Sequence, residues 1–194
     1  MRRIPHLSSV PLLLALVVTA AGCEQSPAAP AADDHLSAHI DHHAAAERGA
    51  ARAHAAHGDL LKAVRQSTAH FHASRQALRA GYAANLDCVA HPELGGMGMH
   101  WVNGALIDPV FDPLEPEALL YAPRDGNNPE LVGVEYIVID VGQPHPHFGD
   151  HPFDVGGVPP LTAAGVAHWS LHVWVHKDNP SGTFAPFNPD VSCD

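Results

Sequence analysis

Cysteine is scarce, with three in 194 residues. No two of them lie at metal-ligand spacing, which argues against a thiolate zinc site. Basic residues are also few. Ten Lys and Arg stand against 21 Asp and Glu, a formal net charge of −11. That balance argues against a nucleic-acid partner, because phosphates call for a positive surface. Long apolar runs are missing as well. The best candidate, Val10 to Ala21, is interrupted by Pro11 and Thr19 and is too short to span a bilayer comfortably. No G-x-S-x-G, P-loop, G-x-G-x-x-G, C-x-x-C-H or H-E-x-x-H motif occurs. Serine-elbow hydrolysis, nucleotide binding, covalent haem attachment and HExxH-type zinc chemistry therefore lose their usual sequence support.

Histidine is abundant, with 17 residues. Imidazole titrates near neutrality and is the commonest metal ligand. Many of these histidines sit in alanine-rich sequence, where a solvated tether accounts for them equally well. The hydrophobic fraction of 46% fills one core, and the length suits one domain with appendages.

The first residues read as a targeting segment. Arg2 and Arg3 precede the apolar run, which ends Ala20-Ala21-Gly22-Cys23. Small residues before a cysteine resemble a bacterial lipobox, with Cys23 as the lipidated mature N-terminus; the alternative is an ordinary cleavage site beside a chance cysteine. Residues 1–22 are thus expected to be a lipoprotein signal peptide. The expected location is extracytoplasmic, at the cell membrane or outer membrane, with lipid on Cys23 as the membrane contact. Residues 23–58 are rich in Ala, Pro and His and read as a flexible tether. Within it His35, His39, His42 and His43 fall at helical spacing and could hold a metal weakly. Residues 59–194 are expected to form a single domain. Cys88 and Cys193 are left over, and outside the cytoplasm such a pair is expected to form a disulfide. It would close a loop of about 105 residues and stabilise by about 4 kcal/mol in the chain-entropy model.

Within that domain the first element is a predicted helix from Asp59, as cap, to about Ala83. Leu60, Val64, Phe71, Leu78 and Tyr82 form its apolar stripe, and Gly81 lies near its end. After Cys88 the texture changes to Gly, Pro and short apolar runs, which is strand territory. The segment Leu94–Asn103 is glycine-rich and then strand-like. Ala118–Tyr121 and Leu131–Asp140 read as a hairpin around a strong turn signal. Pro144–Pro160 reads as an irregular loop, and His145–His151 within it as a mobile, solvated stretch, with a metal-binding lid as the alternative. Helix first and strands afterwards predicts an α+β fold: a long N-terminal helix packed on a curved antiparallel sheet.

Three strands carry the candidate chemistry. In the stretch His168 to His176, Trp169, Leu171, Val173 and Val175 form one apolar face, whereas His168, Ser170, His172, Trp174 and His176 form the other. Glu135 lies in a strand apolar on both faces, where a carboxylate is expensive unless paired, protonated or metal-bound. His100 follows Met97-Gly98-Met99 in a third strand, with alternation placing it opposite both thioethers. His100, Glu135 and His172 on neighbouring strands fit a two-histidine, one-carboxylate metal site, an acid–base constellation, or a buried hydrogen-bonded network that only specifies the core. Trp101, Tyr121, Tyr136 and Trp174 are candidates to line a small-molecule pocket, with ordinary core packing as the alternative.

The stretches Gly96-Met97-Gly98-Met99-His100-Trp101-Val102-Asn103, Pro116–Tyr121, Leu131–Tyr136, Leu171–Trp174 and Lys177–Phe184, running on to Cys193, together resemble a family of secreted or lipid-anchored bacterial proteins with no established activity. The resemblance covers residues 60–194 and implies no mechanism. It does single out His100, Glu135, His172 and Trp174 over His168 and His176. The expected role is binding a small molecule or a divalent transition metal through those four residues. The alternatives are an enzyme using Glu135 and a histidine as acid and base, and a structural envelope protein.

Overall fold

In the computed structural model the described residues are 47, 50, 55–84, 87–124 and 128–194. The signal-like segment, Cys23 and histidines 35, 39, 42 and 43 lie outside them. Among the described residues no helix is long and apolar enough to cross a membrane.

The expected single long helix is not formed. Residues 55–68 are helical (α1), so Asp59 lies inside the helix and does not cap it. A 3₁₀ turn, Ala69–His72, follows. Ala73 then adopts an extended conformation, and α2 spans only Ser74–Arg79. The break resets the helical phase. Val64, Phe71 and Tyr82 still reach the core, but Ala77 takes the inward position and Leu78 is 54% exposed. Gly81, at φ 95°, ends the segment in the left-handed region that glycine enters without steric cost.

The sheet is curled and antiparallel throughout. Its strands are β1 (Ala83–Ala84), β2 (Val89–His91), β3 (Gly95–Val102), β4 (Ala118–Ala122), β5 (Glu130–Ile139), β8 (Asp154–Val155) and β9 (His168–Val173), in the order β1-β3-β4-β5-β9-β8. β2 shares the free edge of β3 with β1. A small hairpin joins β6 (His147–Phe148) to β7 (His151–Pro152), and a short helix α3 covers Pro159–Ala163. The α+β class and the β4–β5 hairpin agree with the sequence reading.

Both faces of the central strands are covered, which is why they read as unbroken apolar runs. One face, with Leu119, Tyr121, Val134, Tyr136, Val138, Leu171 and Val173, packs with Val64, Phe71 and Tyr82 of the helical segment. On it the tyrosines act as core residues with a polar tip. The hydroxyls of Tyr82, Tyr121 and Tyr136 donate to the carbonyls of Pro116, Phe71 and Pro113, each at 2.7 Å. A second cluster holds Leu120, Ala122, Val132, Trp174 and Val191. It docks the C-terminal tail, which the disulfide Cys88–Cys193 also ties to the start of β2, with 5.6 Å between the Cα atoms. The loop over 144–160 is pinned by Phe148 and Phe153, which are 0% and 3% exposed. In the expected solvated stretch His145–His151, residues 145, 147, 149 and 150 are exposed and Phe148 alone is buried, anchoring it to the core.

Two glycines let the strands approach. A Cβ on Gly98, at φ 88°, would lie 2.6 Å from the Tyr121 carbonyl oxygen. A Cβ on Gly133 would lie 2.8 Å from that of Val173. These two positions precede His100 and Glu135 by two residues, on the same face of their strands.

Candidate metal centre

Glu135 sits opposite His172 across β5 and β9, so their side chains share a face. On the other side of Glu135, β4 presents Ala118, whose methyl group leaves room above it. His100 is opposite Leu120 across β3 and β4, and Leu120 is opposite Gly133, which puts His100 on that same face. β3 and β9 are three strand spacings apart, roughly 14 Å in a flat sheet. Yet His100 Nε2 lies 3.2 Å from His172 Nε2. The curl of the sheet closes this distance, so the three residues occupy its concave side. His100 Nε2 is also 3.6 Å from Glu135 Oε2. One nitrogen or oxygen from each residue lies within 4.8 Å of the others, and all three are buried.

Burial sets the charges. It lowers His100 to about 4. It lowers His172 to about 3, with His100 adding to the effect. Glu135 is raised to about 8 by burial and then by the charge of Glu117. The His100–Glu135 separation has the length of an ion pair, but both shifts favour the uncharged forms. Without an ion the contact is therefore between neutral groups at pH 7. The three side chains are poorly satisfied by one another. One hydrogen bond links the two imidazoles, and His100 Nδ1 is buried with no partner. Buried polar groups in native proteins almost always find partners, and His100 Nδ1, on the ring edge away from the Nε2 that faces the cluster, is an exception.

A metal ion answers to the geometry. An ion bound tetrahedrally at about 2.1 Å from each ligand separates the ligand atoms by about 3.4 Å. Two of the three separations, 3.2 and 3.6 Å, bracket that value, and the third lies within 4.8 Å. Two imidazole nitrogens and one carboxylate oxygen suit a borderline divalent ion such as zinc, with at least one position left for water or another ligand. Metal-bound histidines usually donate their second ring N–H to an acceptor. His100 Nδ1 has none, so packing alone orients that ring.

The remaining candidates go elsewhere. Trp174 lies in the second apolar cluster, and its indole N–H donates to the Ala185 carbonyl at 2.7 Å, anchoring the tail. His168 accepts from the Val158 N–H at Nε2 and donates to the Val166 carbonyl at Nδ1, clamping the loop before β9. His176 donates to Thr68 Oγ1 at 2.8 Å, since that hydroxyl already donates to the Val64 carbonyl, and so pins the end of α1. Met99 packs on the helix side of the sheet, opposite His100, which removes the thioether–imidazole set that copper(I) would require.

Sequence reasoning passed over Glu117. It is 2% exposed, accepts the Ile137 N–H at 2.9 Å, and burial raises it to about 8. Its signal was available: a carboxylate directly before the all-buried strand β4 poses the same problem as Glu135. Comparison with protein-family models, curated proteins and solved structures finds no match.

Proposed function

We propose that this is an extracytoplasmic, lipid-anchored protein that binds one divalent transition ion through His100, Glu135 and His172. The convergence of three buried metal-ligating side chains within 4.8 Å carries the reading. Lipidation at Cys23 would hold the domain at the membrane surface. The disulfide between Cys88 and Cys193 is in keeping with an oxidising compartment. An acid–base enzyme needs substrate access to its carboxyl group. Among the described residues, His100, Glu135 and His172 are 5%, 4% and 7% exposed, and cavities of 220–830 Å³ on the surface are lined by other side chains. The ion would thus serve to cross-link β3, β5 and β9 and to complete a buried donor set.

The test is metal stoichiometry. The full chain without an affinity tag is loaded with zinc, dialysed against a weak chelator and assayed for retained metal. The unaltered chain is expected to keep about one equivalent more than His172→Ala, because each structural zinc ligand contributes to tight retention. Equal retention in the two proteins would eliminate the site.

A further inference from the structure

The face of the sheet that carries the metal centre is crossed by the chain's own C-terminal tail. Beyond Val173 the described residues form no helix or strand, so the tail is held by point contacts. Trp174 anchors its near end. Its backbone N–H donates to the Thr183 carbonyl at 2.9 Å, and its indole N–H to that of Ala185. Asn188, 0% exposed, exchanges two backbone hydrogen bonds with Gly96 of β3, at 2.9 and 3.1 Å. Val191 seats on the same glycine, where a Cβ would lie 2.9 Å from Val191 Cγ1. Cys193 closes the far end through its disulfide with Cys88.

These contacts stand beside the metal ligands. Val191 packs in one apolar cluster with Leu120 and Trp174. Leu120 is the cross-strand partner of His100, and Trp174 follows His172 by two residues on the same face. The tail therefore lies against side chains that flank both imidazoles. An ion held by such buried ligands enters or leaves when a local segment opens, and segments with few buried apolar contacts open most readily. Beyond Val175, Val191 is the one buried apolar side chain among the described residues. While the disulfide is closed, the tail is tethered at both ends and its opened states are few. Once the bond is reduced, the far end is free. Both cysteines are half-buried, and Cys193 borders a surface cavity of about 400 Å³, so a small reductant can reach the bond.

We propose that the C-terminal tail is a strap over the metal centre, locked by the Cys88–Cys193 disulfide and released when a dithiol reduces it. The inference rests on the metal reading above. One thiolate of the dithiol attacks a disulfide sulfur, the S–S bond breaks, and a mixed disulfide forms. The second thiol of the reductant then displaces the protein sulfur. Cys88 and Cys193 gain two electrons and two protons, and the dithiol leaves as its own disulfide. A strap gates entry and exit alike, so it sets the rate of ion exchange and leaves the amount bound at equilibrium unaltered.

Zinc release tests this. The unaltered full chain and the double variant Cys88→Ser, Cys193→Ser are each loaded with one equivalent of zinc. Each is mixed with excess 4-(2-pyridylazo)resorcinol, and release is followed by absorbance. Serine in both places leaves no thiol from this pair to bind zinc itself. Both proteins are expected to hold one equivalent, with release about tenfold faster or more from the variant, since the tether no longer limits opening. Val191→Ala, which trims the tail and keeps the disulfide, should also speed release. Phe71→Leu, which loosens the helical side of the sheet, should not. Equal release from the unaltered chain and the serine variant overturns the strap and leaves the metal reading standing. Equal release from Val191→Ala does the same if the serine variant fails to fold. Release hastened as much by Phe71→Leu assigns the effect to global stability and also overturns the strap. Failure of the unaltered chain to retain zinc refutes the metal reading, and the strap with it.

Discussion

Glu135→Gln should alter stability and metal binding in opposite directions. In the metal-free protein Glu135 is raised from 4.5 to about 8, chiefly by burial. Between those values the folded state holds a proton that the unfolded state has released. Stability therefore falls as pH rises through this window, by about 1.4 kcal/mol per pH unit for one carboxyl group. At pH 7 the accumulated cost is about 3 kcal/mol. Glutamine keeps the shape and cannot ionise, so it removes this cost. Metal-free Glu135→Gln should melt above the unaltered protein at pH 8, with the difference shrinking toward pH 4.5. For a 100–150-residue domain, a gain of about 3 kcal/mol raises the melting temperature by roughly 10 °C. Adding zinc reverses the ranking. The metal favours the ionised carboxylate and stabilises the unaltered chain by mass action, whereas the variant has lost a charged ligand. Thermal melts at pH 5 and pH 8, each with and without one equivalent of zinc, measure all of this. The reasoning fails if Glu135→Gln retains the full alkaline loss of stability, or if zinc raises both melting temperatures equally.

Three further outcomes are expected. His100, His172 and His176 are all lowered by burial, and below about pH 6 the protons the unfolded state gains on them outnumber the two that folded Glu117 and Glu135 retain, so urea titrations of the metal-free protein should show a net loss of stability from about pH 6 to about 4. Cys88→Ser, Cys193→Ser or full reduction should cost about 4 kcal/mol with the fold retained under stabilising conditions, read from the shift in urea midpoint. Trp174→Phe leaves the Ala185 carbonyl without its donor and trims a packed ring, so it should cost about 1–3 kcal/mol in the same assay while leaving zinc retention unchanged.

Much of the framework was legible because it depends on local pattern. Period-two alternation in 168–176 placed Trp169, Leu171 and Val173 in the core, where they are buried. The turn signal before Leu131 marked the hairpin that β4 and β5 form. Glu135 stood out because a carboxylate in a doubly apolar strand violates the cost of burying charge. The helix was misread for an equally local reason. Its apolar stripe runs past Ala73 in sequence, but nothing in that spacing reports a backbone break, and the exposed Leu78 is the consequence.

The sequence by itself determined which residues could not be ordinary: a buried glutamate, histidines on apolar strands, and two leftover cysteines. Their roles were decided by tertiary structure. His168, His172 and His176 share one face in the alternation, yet they clamp a loop, join the candidate metal centre and pin a helix, respectively. Sheet order sets His100 three strands from His172, and only the curl of the sheet brings their nitrogens to 3.2 Å. Alternation is a property of one strand. Convergence is a property of how strands are ordered and bent around a core, and no spacing along the chain encodes that distance.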